Sequence, residues 1–237
     1  MPSIWTLLSW GPEGWLDDIF YGVFITVSLA VATLPVGLAI GFFVALAKQS
    51  QEPMLRLAGN IYTTIFRGLP ELLTLFLVYY GVQIGLQNLV RLVQPGATIE
   101  VNSFVSGMVA LGVVFSSYAS EVFLSAFRAV PRGQYEGGYS IGLTGGQTMR
   151  LVVLPQLIRI ALPGLANLWL ILLKDTALVS AIGLSDILRQ SGVAARVTRE
   201  AFLFFGVAAL IYLALAIISS IGIRAVERAV GDKEPAR

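Results

Sequence analysis

Three stretches of this chain carry no charged side chain: Ile19 to Ala47 for 29 residues, Val101 to Ser120 for 20, and Ala201 to Ile223 for 23. A helix needs about 20 apolar residues to cross a hydrocarbon core of about 30 Å, so each run predicts a membrane span. Two more spans are interrupted by charge. Leu72 to Val90 is uncharged for 19 residues but follows Arg67 and Glu71, and Ile160 to Ser185 is apolar except for Lys174 and Asp175. Lipid admits helices or closed barrels, and no short alternating strands occur here. The pattern predicts an all-α integral membrane protein of five transmembrane helices, with its termini on opposite sides.

Composition sharpens this. The chain is 56% hydrophobic and 13% charged, against roughly 25% charged in ordinary soluble domains. It has no cysteine and no histidine, which argues against thiol catalysis, imidazole general-base chemistry and the usual zinc sites. The N-terminus lacks the pattern of a cleaved signal peptide. Instead Trp5, Trp10 and Trp15 surround Gly11-Pro12, as suits an interfacial segment at headgroup level, with a disordered leader as the alternative.

Charge distribution sets orientation. With the N-terminus outside, the inner segments hold ten cations: Lys48, Arg56, Arg128, Arg132, Arg150, Arg159, Arg224, Arg228, Lys233 and Arg237. The outer segments hold four: Arg91, Arg189, Arg196 and Arg199. The positive-inside rule favours this arrangement, although residues 186–200 are basic for an outer loop. The expected order is an outer segment (1–18), span one (19–47), and span two from about Leu57 to Leu89. An outer loop around Gln94-Pro95-Gly96, span three (102–129), an inner loop (131–158) and span four (160–183) follow. An outer amphipathic stretch (185–199), span five (201–223) and a basic inner tail complete it. The transmembrane domain thus covers 19–225 and the tail 226–237. Gly37 and Gly41 form a small-xxx-small pair that helix packing explains.

The polar stretch from Glu136 to Pro155, EGGYSIGLTGGQTMRLVVLP, places Gly142 six residues after Glu136 and ends on Leu154-Pro155. Four more segments accompany it in order: Arg67-Gly68-Leu69-Pro70-Glu71, Tyr118-Ala119-Ser120-Glu121, Ala129-Val130-Pro131-Arg132-Gly133-Gln134, and Leu173-Lys174-Asp175-Thr176-Ala177-Leu178. Together they resemble the polar amino-acid permeases of binding-protein-dependent ABC importers, of the histidine/lysine/arginine/ornithine and octopine/nopaline type. That resemblance implies a type I ABC importer permease fold with a cytoplasmic coupling helix in a bacterial inner membrane. It implies as partners two copies of an ATP-binding subunit, a second homologous permease chain and a periplasmic substrate-binding protein, with no cofactor. It also implies that Tyr135, Glu136, Gly137, Gly138, Gly142, Leu154 and Pro155 meet the ATPase. The family usually has alanines where Gly137 and Gly138 stand, and each glycine costs a helix roughly 1 kcal/mol relative to alanine. Relatives that hold a cationic amino acid often have glutamate after the span-four asparagine, whereas Asn167 is followed here by Leu168.

Charges deep in a bilayer cost about 2.5–3.5 kcal/mol each by insertion scales and need partners or a watery cavity. Arg67 and Glu71, four apart, could pair on one helix face, either lining a cavity or simply neutralising each other. Pro70 between them removes a backbone donor and invites a break. Lys174 and Asp175 point about 100° apart on a regular helix. By the resemblance they line the solute route with Glu71, Tyr118, Asn167 and Thr176, Lys174 meeting a carboxylate and Asp175 an amino or guanidino group. A structural ion pair with Glu121 or Arg67 is the alternative, and Asn167 could equally be packing glue. Arg67, Glu121, Lys174 and Asp175 are expected to converge on one polar chamber.

The chain contains no Gly-Lys pair and hence no GxxxxGK[ST] phosphate loop. A non-enzymatic permease subunit for polar, basic amino acids or opines is therefore the expected function. The competing function is an ion- or proton-coupled secondary carrier, which would suit the intramembrane carboxylates but for which inverted repeats are expected. An inert anchor fails to explain four deep charges.

Overall fold

The computed structural model describes residues 3–94, 96 and 101–231. The expected loop at Pro95 and the tail from 232 onward, with Lys233 and Arg237, lie outside the described residues. The regular elements of the described residues are all helices: α1 (Ile4–Leu7), α2 (Leu16–Gln49), α3 (Pro53–Gly68), α4 (Glu71–Val93), α5 (Ser103–Ala129), α6 (Arg132–Ser140), α7 (Gly145–Thr148), α8 (Leu154–Asp175), α9 (Ile187–Thr198) and α10 (Ala201–Gly231). A π-helical turn (Met149–Val153) joins α7 to α8, and a 3-10 turn (Thr176–Ile182) extends α8. Five segments are long and apolar enough to cross a bilayer: Leu16–Gln49, Glu71–Val93, Ser103–Ala129, Gly145–Ile182 and Ala201–Val230.

α5 is the centre of the bundle, packing on α2, α3, α4 and α8. Its contact with α2 is close because Gly37 and Gly41 face it. A Cβ on Gly37 would lie 2.5 Å from Phe115 Cδ1, and one on Gly41 would lie 2.9 Å from both Ala119 Cβ and the Ser116 carbonyl oxygen. The small-residue pair therefore does the packing expected of it. Buried Ser116, Ser117 and Ser120 satisfy themselves by donating to the carbonyls three residues earlier. Their hydroxyls are thus tolerated in an apolar interface.

Span two breaks where Pro70 invites it and starts later than expected, at Glu71 rather than Leu57. It is two helices, broken at Leu69-Pro70, where proline forces the preceding residue into extended conformation (φ −90°, ψ 146°). Only α4 is a span candidate. Arg67 ends one helix and Glu71 begins the next, each at the terminus whose dipole favours its charge. The Arg67–Glu71 pair considered from their spacing does not form.

The inner loop likewise is less separate from span four than its composition suggests. α6 closes at Gly142, whose φ of 85° supplies the left-handed turn. Thr144 then caps α7 with a capping box to Gln147. From there the helix runs without interruption through the π turn into α8. Pro155 has no N–H to donate, and the widened turn ends just before it.

Residues 3–15 are ordered rather than a loose leader. Leu7 and Ile19 are buried against Ala194, Ala195 and Phe204, and Trp15 meets Phe204 edge-on at 6.4 Å between centroids. Trp5 and Trp10 stay exposed, as an interfacial anchor requires. The N-terminal segment and α9 thus share one end of the bundle. The spans alternate, so α6 and α7 occupy the other end.

Candidate functional site

Two polar clusters and one exposed elbow concentrate the chemistry of the molecule. The first cluster joins α2, α3 and α5. The Lys48 ammonium, whose side chain is 8% exposed, pairs with Glu121 and donates to Thr63 Oγ1 at 3.0 Å. Arg67 reaches the same Glu121 oxygen at 3.5 Å, and its guanidinium lies 5.5 Å from the centroid of the Tyr118 ring, within cation–π range. Lys48 comes this close because Gly59 faces it. A Cβ there would sit 2.7 Å from Lys48 Cγ. Tyr62 braces the same corner through Ser116 Oγ at 2.6 Å and the Val113 carbonyl.

The second cluster lies on the other side of Tyr118. Glu71, Tyr118 and Asp175 line a narrow cavity of about 20 Å³, walled by Leu75, Phe115 and Leu168. That is room for about one water molecule. Among the described residues no cation pairs with either carboxylate. The local fold explains the meeting: the Pro70 break puts Glu71 at the start of α4, and the change from α to 3-10 geometry falls at Asp175 itself.

Not every sequence candidate enters these clusters. Asn167 and Lys174 are exposed on other faces of α8. Thr176 is buried and donates to the Leu173 carbonyl at 2.7 Å. Leu168 occupies the cavity wall where relatives were expected to carry glutamate. The single chamber of Arg67, Glu121, Lys174 and Asp175 resolves into two sites, with Lys174 in neither. Sequence reading missed Lys48, which was counted only as an inner-side charge. Its one advance signal is a lysine ending a long apolar run, opposite a glutamate in another span that had no assigned partner.

The elbow is α6 with α7. Gly138 lies against Thr148, where a Cβ would approach Cγ2 to 2.6 Å, whereas Gly137 faces open space. Gln156 Nε2 donates to Gln134 Oε1 at 2.9 Å, tying α6 to α8. Tyr135 packs against the core. Burial, and secondarily nearby Tyr139, raise its hydroxyl above the ordinary tyrosine value, so it stays protonated. Glu136, Ile141 and Gly142 are exposed, Leu154 is half-buried and Pro155 is exposed.

Residues 37–232 match the family described as binding-protein-dependent transport system inner membrane component. The chain is 40% identical to the nopaline transport system permease protein of Agrobacterium fabrum, covering 94% of this chain and 95% of that one. It is 39% identical to the arginine ABC transporter permease protein of Haemophilus influenzae, over 90% and 93%. The histidine/lysine/arginine/ornithine permease protein of Escherichia coli is 36% identical, over 87% and 90%. Among solved structures, an amino acid ABC transporter crystallised with histidines superposes with a TM-score of 0.75 at 32% identity, over 90% of this chain and 94% of that one. The MetNI methionine transporter shares the fold at a TM-score of 0.71 and 18% identity. The five spans, the helical elbow and these likenesses agree that the chain belongs to the family of inner membrane components of binding-protein-dependent transport systems.

Proposed function

We propose that this chain pairs with a homologous permease chain to form the path for a basic amino acid or an opine. Two copies of an ATP-binding subunit drive the pair through the α6–α7 elbow. The chain is a multi-pass inner membrane permease subunit, not an enzyme, and it works with a separate ATP-binding subunit and a substrate-binding protein. The finer reading has the N-terminus periplasmic and the elbow cytoplasmic, in line with the ten-to-four division of cations.

One observation carries the reading. The α7 half of the elbow and Asp175 belong to a single rod, Gly145–Ile182, 38 residues long, and α6 is held to that rod by the Gln134–Gln156 hydrogen bond and by Gly138 against Thr148. At one end are the exposed residues Glu136 and Gly142, with Gly138 and Tyr135 packed beneath them. At the other end is a cavity lined by Glu71 and Asp175, neither of which has an ion-pair partner among the described residues. Motion imposed on α6 passes to α7 across the Gly142 turn and the Thr148 contact, and from α7 it reaches Asp175 through the π turn at Met149–Val153. Arg67, Tyr118 and Glu121 border the route from below, and Lys174, Asn167 and Thr176 lie on the same rod beside it. The names of the curated relatives, which are arginine, histidine/lysine/arginine/ornithine and opine permeases, and the unpaired carboxylates both favour a cationic solute.

The test is uptake of radiolabelled arginine into vesicles holding the full complex, with ATP hydrolysis followed in parallel. Asp175→Asn is expected to lose uptake while keeping hydrolysis, and cross-links from Tyr135 or Ser140 to the ATP-binding subunit should form. Undiminished uptake by Asp175→Asn and Glu71→Gln together would remove the proposed path. Failure of cross-links at every linker length would remove the docking.

A further inference from the structure

The arginines between spans four and five run against the charge bias of the rest of the chain, and the function above does not use them. Arg189 and Arg196 are seven apart on α9, nearly two turns, and so project from one face. The opposite face, with Ile187, Ser191 and Ala194, is buried. Both guanidiniums line one cleft of about 450 Å³, completed by Ser180, Leu188, Ala201 and Phe205. Arg189 donates to the Ser180 carbonyl at 3.3 Å, which steadies the group and uses one of its five donors. Among the described residues no carboxylate pairs with either arginine; the ion pairs are those of Glu121.

The cleft has a direction. Its arginines lie level with the first turn of α10, and its aromatic wall, Phe205, lies one turn deeper into that span. Phe202 beside it is 96% exposed, and α10 is among the least enclosed of the spans. Cationic donors at the mouth and an apolar wall along a lipid-facing helix match a molecule with an anionic head and a hydrocarbon tail. We propose that this cleft binds an anionic phospholipid. Arg189 and Arg196 grip its phosphodiester, a bidentate partner for guanidinium, and its acyl chain follows Phe205. An acidic protein surface would approach from water and would have no use for the apolar wall. Arg199, past the end of α9, does not line the cleft. The inference rests only on α10 crossing a bilayer, not on the transported solute or on which side is cytoplasmic, so it fails separately from the proposal above.

The experiment is native mass spectrometry of the whole complex released from nanodiscs of phosphatidylglycerol or of phosphatidylcholine. The wild type is expected to retain phosphatidylglycerol and not phosphatidylcholine. R189Q/R196Q should retain about tenfold less, the change for losing a charge-assisted contact worth about 1.4 kcal/mol. R199Q should retain it normally. Melting in phosphatidylcholine nanodiscs should be equal for all three, which separates lost binding from lost folding. Equal retention by the double variant, equal loss in R199Q, or displacement of the lipid by millimolar inorganic phosphate would overturn the proposal. So would a double variant that keeps its lipid but no longer captures the purified substrate-binding protein.

Discussion

The Lys48–Glu121–Arg67 cluster and the Glu71–Asp175 cavity share Tyr118 as a common wall, yet they hold charge in opposite ways. In the first, two cations and a carboxylate from three helices answer one another, and Thr63 Oγ1 accepts a hydrogen bond from the ammonium. In the second, two carboxylates face a water-sized space, and among the described residues no cation forms an ion pair with either. A charge compensated inside the chain serves the fold. One left uncompensated in a membrane is retained for something that arrives from outside. The adjacent glycines of α6 repeat the contrast on a small scale, one closed against Thr148 and the other open.

The comparison is broken most directly at Glu121. Glu121→Gln leaves the Lys48 ammonium buried with neutral acceptors only and no counter-ion. We expect a loss of about 3 kcal/mol, at the low end for a broken buried pair because the Glu121 side chain is 31% exposed. Chemical denaturation in detergent measures it, and Lys48→Met added to the same chain should recover most of the loss, since a neutral pair needs no counter-ion. A Glu121→Gln protein as stable as the wild type would mean that this cluster is not structural.

Glu71→Gln and Asp175→Asn should behave in the opposite sense. Stability should stay within about 0.5 kcal/mol, as for changes that break no buried contact. Uptake should fall about tenfold or more, or at least 1.4 kcal/mol of lost stabilisation of the moving solute. If these variants instead unfold more easily and transport normally, the two clusters have exchanged roles.

How far these sites were legible depends on the range of the interactions that build them. The spans follow from apolar runs because lipid selects on composition alone, and the break at Pro70 follows from a missing N–H. The elbow was readable from Glu136, Gly142 and Pro155 because its turn and caps are local. Lys48 was not, because its partner lies 73 positions away and is brought near only where Gly37 and Gly41 let α2 and α5 meet. Lys174 misled for the complementary reason: adjacency to Asp175 says nothing about which face of α8 turns inward, and the move to 3-10 geometry at Thr176 is a tertiary outcome.

The glycine pair sharpens the contrast at smaller magnitude. Gly137→Ala adds a methyl to open space and removes backbone freedom from the unfolded chain, so it should stabilise by about 0.5–1 kcal/mol. Gly138→Ala must displace buried Thr148 and should destabilise by about 1 kcal/mol or more. Equal effects from the two changes, measured by thermal melting, would show that the elbow does not close against Thr148.

Asp186 lies between the two extremes, buried without a cation but surrounded by donors, and it predicts the smallest effect. It caps α9 by accepting from the Leu188 and Arg189 N–H groups, and the Tyr212 hydroxyl lies 3.5 Å away. Thr26 of α2 accepts from the neighbouring Ile187 N–H. Burial outweighs these donors and pushes the carboxyl up to about 6. The folded protein therefore holds a proton there over a range in which the unfolded chain has released it. The stability this contributes is complete below the ordinary aspartate value near 4 and is lost as pH rises through 6. Melting of the wild type in nanodiscs should accordingly fall between pH 5 and pH 8. Asp186→Asn, which caps a helix nearly as well but does not titrate, should remove that slope by up to about 1 kcal/mol. A slope that survives the substitution would place its origin elsewhere. Asp186 would then belong with the compensated charges, its donors having matched the cost of burying it.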